Sequence, residues 1–76
     1  MKYLVKETFE SKYTEVMYWG THSERVAWSF PWSQKPITEA RVKLYGYKTE
    51  SGAIRACEVE QKRKPNSKFT VVSFAV

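Results

Sequence analysis

Cys57 is the only cysteine in a chain of 76 residues, and this removes the usual supports of a small fold. No internal disulfide can form, and one Cys with one His cannot build a structural zinc site. A chain of this size buries only ~60% of its unfolded surface. Stability must therefore come from apolar packing or from a partner. The aromatic residues are the main source of apolar area. Three Trp, five Tyr and four Phe make up 16% of the chain, and each ring can bury ~150–250 Å². The length allows one domain, residues 1–76. Charged residues at 28%, with only three Gly and three Pro, argue for a globular chain rather than a disordered one.

Lys and Arg number 13 against 8 acidic residues, all of them Glu, for a net charge of +5. Residues 1–38 carry five basic residues against four Glu, and residues 39–76 carry eight against four. A basic balance of this kind favours anionic partners such as nucleic acid or acidic protein surfaces. The apolar run at the N-terminus is broken at once by Lys2, Lys6 and Glu7, unlike a signal peptide. No stretch approaches the ~18 apolar residues of a membrane span. With one unpaired Cys, the cytoplasm is the default compartment and a membrane partner is not expected.

Alternation predicts a strand over 2–9, a turn at Glu10–Lys12, and a second strand over 13–19 rich in aromatic and β-branched residues. Gly20 opens a polar hairpin loop over 20–24. The next strand, 26–32, places Val26, Trp28, Phe30 and Trp32 on one face, and Pro31 sets this end at a sheet edge or takes it out of the sheet. Residues 33–36 are a loop. Residues 38–47 fit two patterns. A helix would align Ile37, Ala40 and Leu44. A strand would set Ala40, Val42 and Leu44 against Arg41, Lys43, Tyr45 and Tyr47, and Gly46 favours the strand. Thr49 is a helix N-cap, followed by Glu50. The helix groups Ala53, Ile54, Ala56 and Cys57 on its apolar face and offers the i,i+4 pairs Glu58–Lys62 and Glu60–Lys64. It stops at Pro65, and residues 68–75 form the last strand. The order β-β-β-β-α-β is an α+β domain, a mainly antiparallel sheet of about five strands with one helix packed on a face.

Five strands make a sheet roughly 20–25 Å wide, and one helix is about 10 Å across. Tyr3 beside Leu4 and Val71 beside Val72 give apolar residues on both sides of their strands. Either the sheet curls around the helix or an aromatic surface stays open for contact.

Four groups of residues carry the functional expectations. Arg41, Lys43, Tyr45 and Tyr47 would form a basic-aromatic stripe on a strand, with cations for phosphate and rings for bases. Lys62, Arg63, Lys64 and Lys68 are a dense cationic cluster. Trp19, Trp28, Phe30 and Trp32 are aromatic contact candidates, although the glycines of a ribonucleoprotein strand motif are absent. His22, Ser23 and Glu24 are adjacent in a loop, so their side chains diverge rather than converge as a hydrolytic triad must. Cys57 is expected to be a buried, inert thiol. The glycines are isolated, so there is no phosphate loop, and a chain this short leaves little volume for a ~300 Å³ pocket. No catalytic residue, metal site or cofactor is expected.

The segment Tyr47-Lys48-Thr49-Glu50-Ser51-Gly52-Ala53-Ile54-Arg55-Ala56, followed by Lys64-Pro65-Asn66 and the Val71-Val72 strand, resembles small accessory proteins of phages and mobile elements. Anti-CRISPR and anti-restriction inhibitors are of this kind. The resemblance implies a non-enzymatic protein that binds a host nucleic-acid-handling machine, and it carries over no functional residue. Three readings stand at this level. The first is a binder of nucleic acid or of the nucleic-acid site of a protein complex. The second is a protein–protein inhibitor using an apolar aromatic patch. The third is a homodimer through the open sheet face.

Overall fold

In a computed structural model, residues 1–9 and 15–76 are described. They form β1 (Lys2–Thr8), β2 (Val16–Trp19), a 3-10 turn (Thr21–Ser23), β3 (Arg25–Ser29), β4 (Gln34–Lys35), α1 (Glu39–Tyr45), α2 (Glu50–Arg63) and β5 (Lys68–Phe74). The strands make one five-stranded sheet in the order β4-β3-β2-β1-β5, with antiparallel pairing throughout. The fold is α+β, as the alternation implied. The turn expected at Glu10–Lys12 and the first part of the second strand lie outside the described residues.

Two helices flank the sheet instead of one, and they lie on opposite faces. Neighbouring residues of a strand point to opposite sides, and β1 shows this directly. Leu4 packs with Val26 of β3 and Val42 of α1 in the buried core, with Tyr18, Ile37, Tyr45, Phe74 and Val76 around it. Val5 points the other way, beneath α2. Cross-strand register extends that second face as rows. Phe69, Glu7, Met17, Trp28 and Lys35 form one row, and Val71, Val5 and Trp19 form the next.

The stretch expected as a strand over 38–47 is the helix α1. Thr38 caps it, its hydroxyl accepting from Arg41 N at 3.3 Å. Glu39 occupies the first turn and pairs with Lys43 one turn on, at 2.9 Å. Gly46 is the C-cap, not an interior residue, so it never opposed a helix. The buried face is Val42 and Tyr45, while Ala40 and Leu44 face solvent. The fourth strand is instead the two-residue β4, which replaces the expected 33–36 loop. β3 ends at Ser29, so Phe30, Pro31 and Trp32 leave the sheet.

A register shift at Tyr18/Trp19 pairs Tyr18 with Ala27 but Trp19 with Arg25. Val26 is the extra residue of this bulge, and it turns into the Leu4 core rather than aligning with Trp28. The chain passes from the α1 face to the α2 face at the end of β2. There Tyr47 takes the place beside Tyr3 that β2 has vacated, exchanging backbone bonds of 3.0 and 2.8 Å. The crossing is tight. A Cβ on Gly20 would sit 2.9 Å from Val26 Cγ2 and against the Tyr45 backbone, and one on Gly46 would sit 2.5 Å from the Val42 carbonyl.

Candidate functional site

α2 lies over β1 and β5 and leaves the β2 side of its sheet face open. Thr49 caps the helix through its hydroxyl, which accepts from Gly52 N at 3.2 Å. Its first turn lies beside Tyr47, and its last turn reaches Glu7. Between α2 and the 3-10 turn runs a groove of about 480 Å³. This corrects the expectation that so short a chain leaves little room for a pocket. Val5 and Trp19 form its floor, and His22 and Ser23 form one wall. Arg55, Val59 and Arg63, one helical turn apart, line the other. Tyr47 closes one end and Lys64 the opposite one.

Trp19 is fixed from below. Glu7, wholly buried, accepts from Trp19 Nε1 through Oε1 at 2.9 Å. Lys64 Nζ lies 3.8 Å from the same oxygen and 5.4 Å above the Trp19 ring. Glu7 Oε2 has no partner among the described residues. Arg63 pairs with Glu60 at 2.9 Å and keeps two thirds of its side chain exposed. The ion pairs of α2 thus differ from the expected set: Glu60 is taken by Arg63, and Lys64 reaches Glu7. Arg55 makes no ion pair among the described residues. The Tyr47 phenol is held above its ordinary pKa of 10.0, first by burial and then by the Glu60 carboxylate. It is therefore a neutral ring and donor across the physiological range.

The wall opposite α2 is strained. His22 and Ser23 both have φ of 57°, the left-handed region that side chains with a Cβ avoid. The Glu24 carboxylate turns to Arg41 of α1, 3.7 Å away, so His22, Ser23 and Glu24 do not converge.

The residues singled out from the sequence fall in different places. The Arg41–Tyr47 stripe does not exist, because α1 is a helix. Arg41 donates through Nε to the Val26 carbonyl at 3.0 Å and through a terminal nitrogen to the Arg25 carbonyl at 2.8 Å. It also lies over the Tyr45 ring at 5.1 Å. Its guanidinium thus serves the bulge of β3. Lys43 pairs with Glu39, Tyr45 packs on the core, and only Tyr47 of the four enters the groove. Of the cationic cluster, Arg63 and Lys64 line the groove, Lys62 is exposed, and Lys68 starts β5. Among the aromatics, Trp19 is the floor. Trp28 is tied through Nε1 to Ser33 at 3.0 Å and carries Lys35 over its ring. Trp32 is 74% exposed and stacks on Phe30 at 5.2 Å, with Phe9 tilted against Phe30 at 5.7 Å. Cys57 is half-buried, and burial followed by the Glu58 charge raises its thiol pKa. The sequence reading missed Arg55, a single cation with no basic neighbour in the chain, whose role comes only from the groove.

No protein-family model, no curated protein and no solved structure matches this chain.

Proposed function

We propose that this is a non-enzymatic binding protein acting on a nucleic-acid-handling system, and that the groove beside α2 is its contact for single-stranded nucleic acid. One observation carries the reading: Arg55, Arg63 and Lys64 stand along a groove whose floor and end are Trp19 and Tyr47. Single strands are held by this combination, with cations tracking the phosphates and rings stacking the bases. Arg55 and Arg63 supply phosphate contacts, and the neutral Tyr47 ring supplies stacking. The backbone strain at His22 and Ser23 supports a binding wall, since such strain clusters at ligand clamps.

Fluorescence anisotropy of labelled single- and double-stranded oligonucleotides, at low and near-physiological salt, tests the reading. The expected result is salt-sensitive binding that favours the single strand. Arg55→Ala and Arg63→Ala should each flatten the log–log salt slope by about 0.7. Absence of binding at low salt refutes it.

A second reading rests on the exposed Trp32–Phe30–Phe9 stack, which fits a protein contact. It predicts a partner affinity weakly sensitive to salt and lost on Trp32→Ala.

A further inference from the structure

β5 is an edge strand of seven residues, and no described strand pairs with its outer side. Proteins usually blunt such edges with proline, a bulge or inward charges. β5 carries none of these, and its only charge, Lys68, is at one end.

Hydrogen bonds already present show which backbone groups face outward. Tyr3 spends its N–H and C=O on Tyr47, away from β5, so the opposed pair Tyr3 and Ser73 exchange no bonds. Ser73 therefore turns its N–H and C=O to the outer edge. Phe69 has the same parity, and its N–H is taken by Gln61 Oε1 at 3.1 Å. Gln61 Nε2 donates to the Ser67 carbonyl at 2.6 Å, so one glutamine amide closes the start of the edge. The Phe69 carbonyl remains open to the outside, as do one donor and one acceptor on each of Val71 and Ser73.

We infer that two copies of this chain join antiparallel through β5, with Val71 of one set against Ser73 of the other. In this register Val72 faces Val72 of the second copy across a two-fold axis. The free groups of Val71 and Ser73 on both chains are then all satisfied, and the Gln61 clamp stays in place. Lys68 lies at opposite ends of the two strands, so no like charges meet. The strands form one continuous sheet across both copies.

The adjacent helix fits the same axis. Ile54 is exposed and lies two turns before Gln61, on the flank of α2 that overlooks the edge. A helix rises 1.5 Å per residue and a strand about 3.3 Å. The span from Gln61 back to Ile54 therefore matches about three residues of β5. Ile54 comes level with Val71 and Val72, beside the two-fold, where it meets its copy. The groove lies on the other flank of α2, so dimerisation and groove binding are independent.

Sedimentation velocity over a concentration series, with amide hydrogen exchange followed by NMR, tests the dimer without any ligand. The expected result is a concentration-dependent dimer in which the Val71 and Ser73 amides become protected on concentration. Thr70 and Val72, which face β1, should be protected at every concentration. Ser73→Pro removes an outward N–H and touches no β1 bond, and should raise the dimer dissociation constant about thirtyfold. Ile54→Lys, on the exposed helix flank, should weaken the dimer about tenfold or more. A monomer at every concentration overturns the proposal and leaves the edge to a strand from another protein. A dimer with freely exchanging Val71 and Ser73 amides, or one unaffected by Ile54→Lys in a folded chain, overturns it equally.

Discussion

Arg41 is a residue whose charge suggests a partner and whose geometry serves the fold. Beside the bulge at Val26, the Arg41 guanidinium fork donates to both the Arg25 and the Val26 carbonyls. Arg41→Ala should cost about 2–4 kcal/mol of stability, read from the urea midpoint. Arg41→Lys should recover little, because an ammonium lacks the fork. Trp19 is bound in the same way to what lies beneath it. Trp19→Phe keeps the ring but removes the donor to buried Glu7, and should cost about 2–3 kcal/mol. Adding Glu7→Leu should return most of that loss, because an apolar pair leaves no oxygen unsatisfied. Tyr47 sets a pH dependence. Its raised pKa means the folded chain holds the phenolic proton more tightly than the unfolded one. That contribution is complete below the ordinary value of 10.0 and is lost as pH rises through the folded pKa. Unfolding followed from neutral to alkaline pH should show the decline, and Tyr47→Phe should reduce it, leaving the part set by the raised Cys57 thiol.

At the scale of elements, α1 shows how a short segment can satisfy two periods. Over seven residues, Ala40, Val42 and Leu44 alternate as a strand would, yet Val42 and Tyr45 share a helical face. The deciding signals were at the ends. Thr38 before Glu39, a Glu39–Lys43 pair and a closing Gly46 are cap and dipole chemistry, and they outweigh a three-position alternation. α2 was legible because its length, its Thr49 cap and its Pro65 stop agreed. β1 and β5 were legible because alternation there runs over seven residues with turn signals outside. Cap strength gives a prediction: Thr38→Ala should cost about 1 kcal/mol and fray α1, seen as lost helical circular dichroism. The crossing between the helices gives another. Gly20→Ala drives a methyl group into Val26 and the Tyr45 backbone, and should cost about 3 kcal/mol or prevent folding.

At the scale of the molecule, the sequence revealed the class but not the partition into two helical layers. The surplus of apolar residues on both sides of β1 and β5 was visible, and α1 covers part of it on the face that the single expected helix left bare. The groove was not legible, because Trp19, Tyr47 and Arg55 come from three segments whose meeting depends on sheet order. The cationic run at the end of α2 was legible as a cluster, but only Arg63 and Lys64 of it share a surface with the rings. Composition located the charge, and topology decided which charges stand together.

The place of β1 in the sheet has a consequence for the order of events during synthesis. β1 leaves the ribosome before the other strands of this sheet, yet its most extensive neighbour, β5, is made after all of them. Until β5 arrives, one side of β1 has no ladder, and the face that α2 covers has no strand beneath the Gln61 clamp. The nascent chain must wait with β1 half-matched, and closure joins the two strands of this sheet that lie farthest apart in sequence. Folding should accordingly be slow for a chain of this size. A stalled chain lacking β5 should be cut readily by protease, and one synthesised through Phe74 with a tether beyond it should resist.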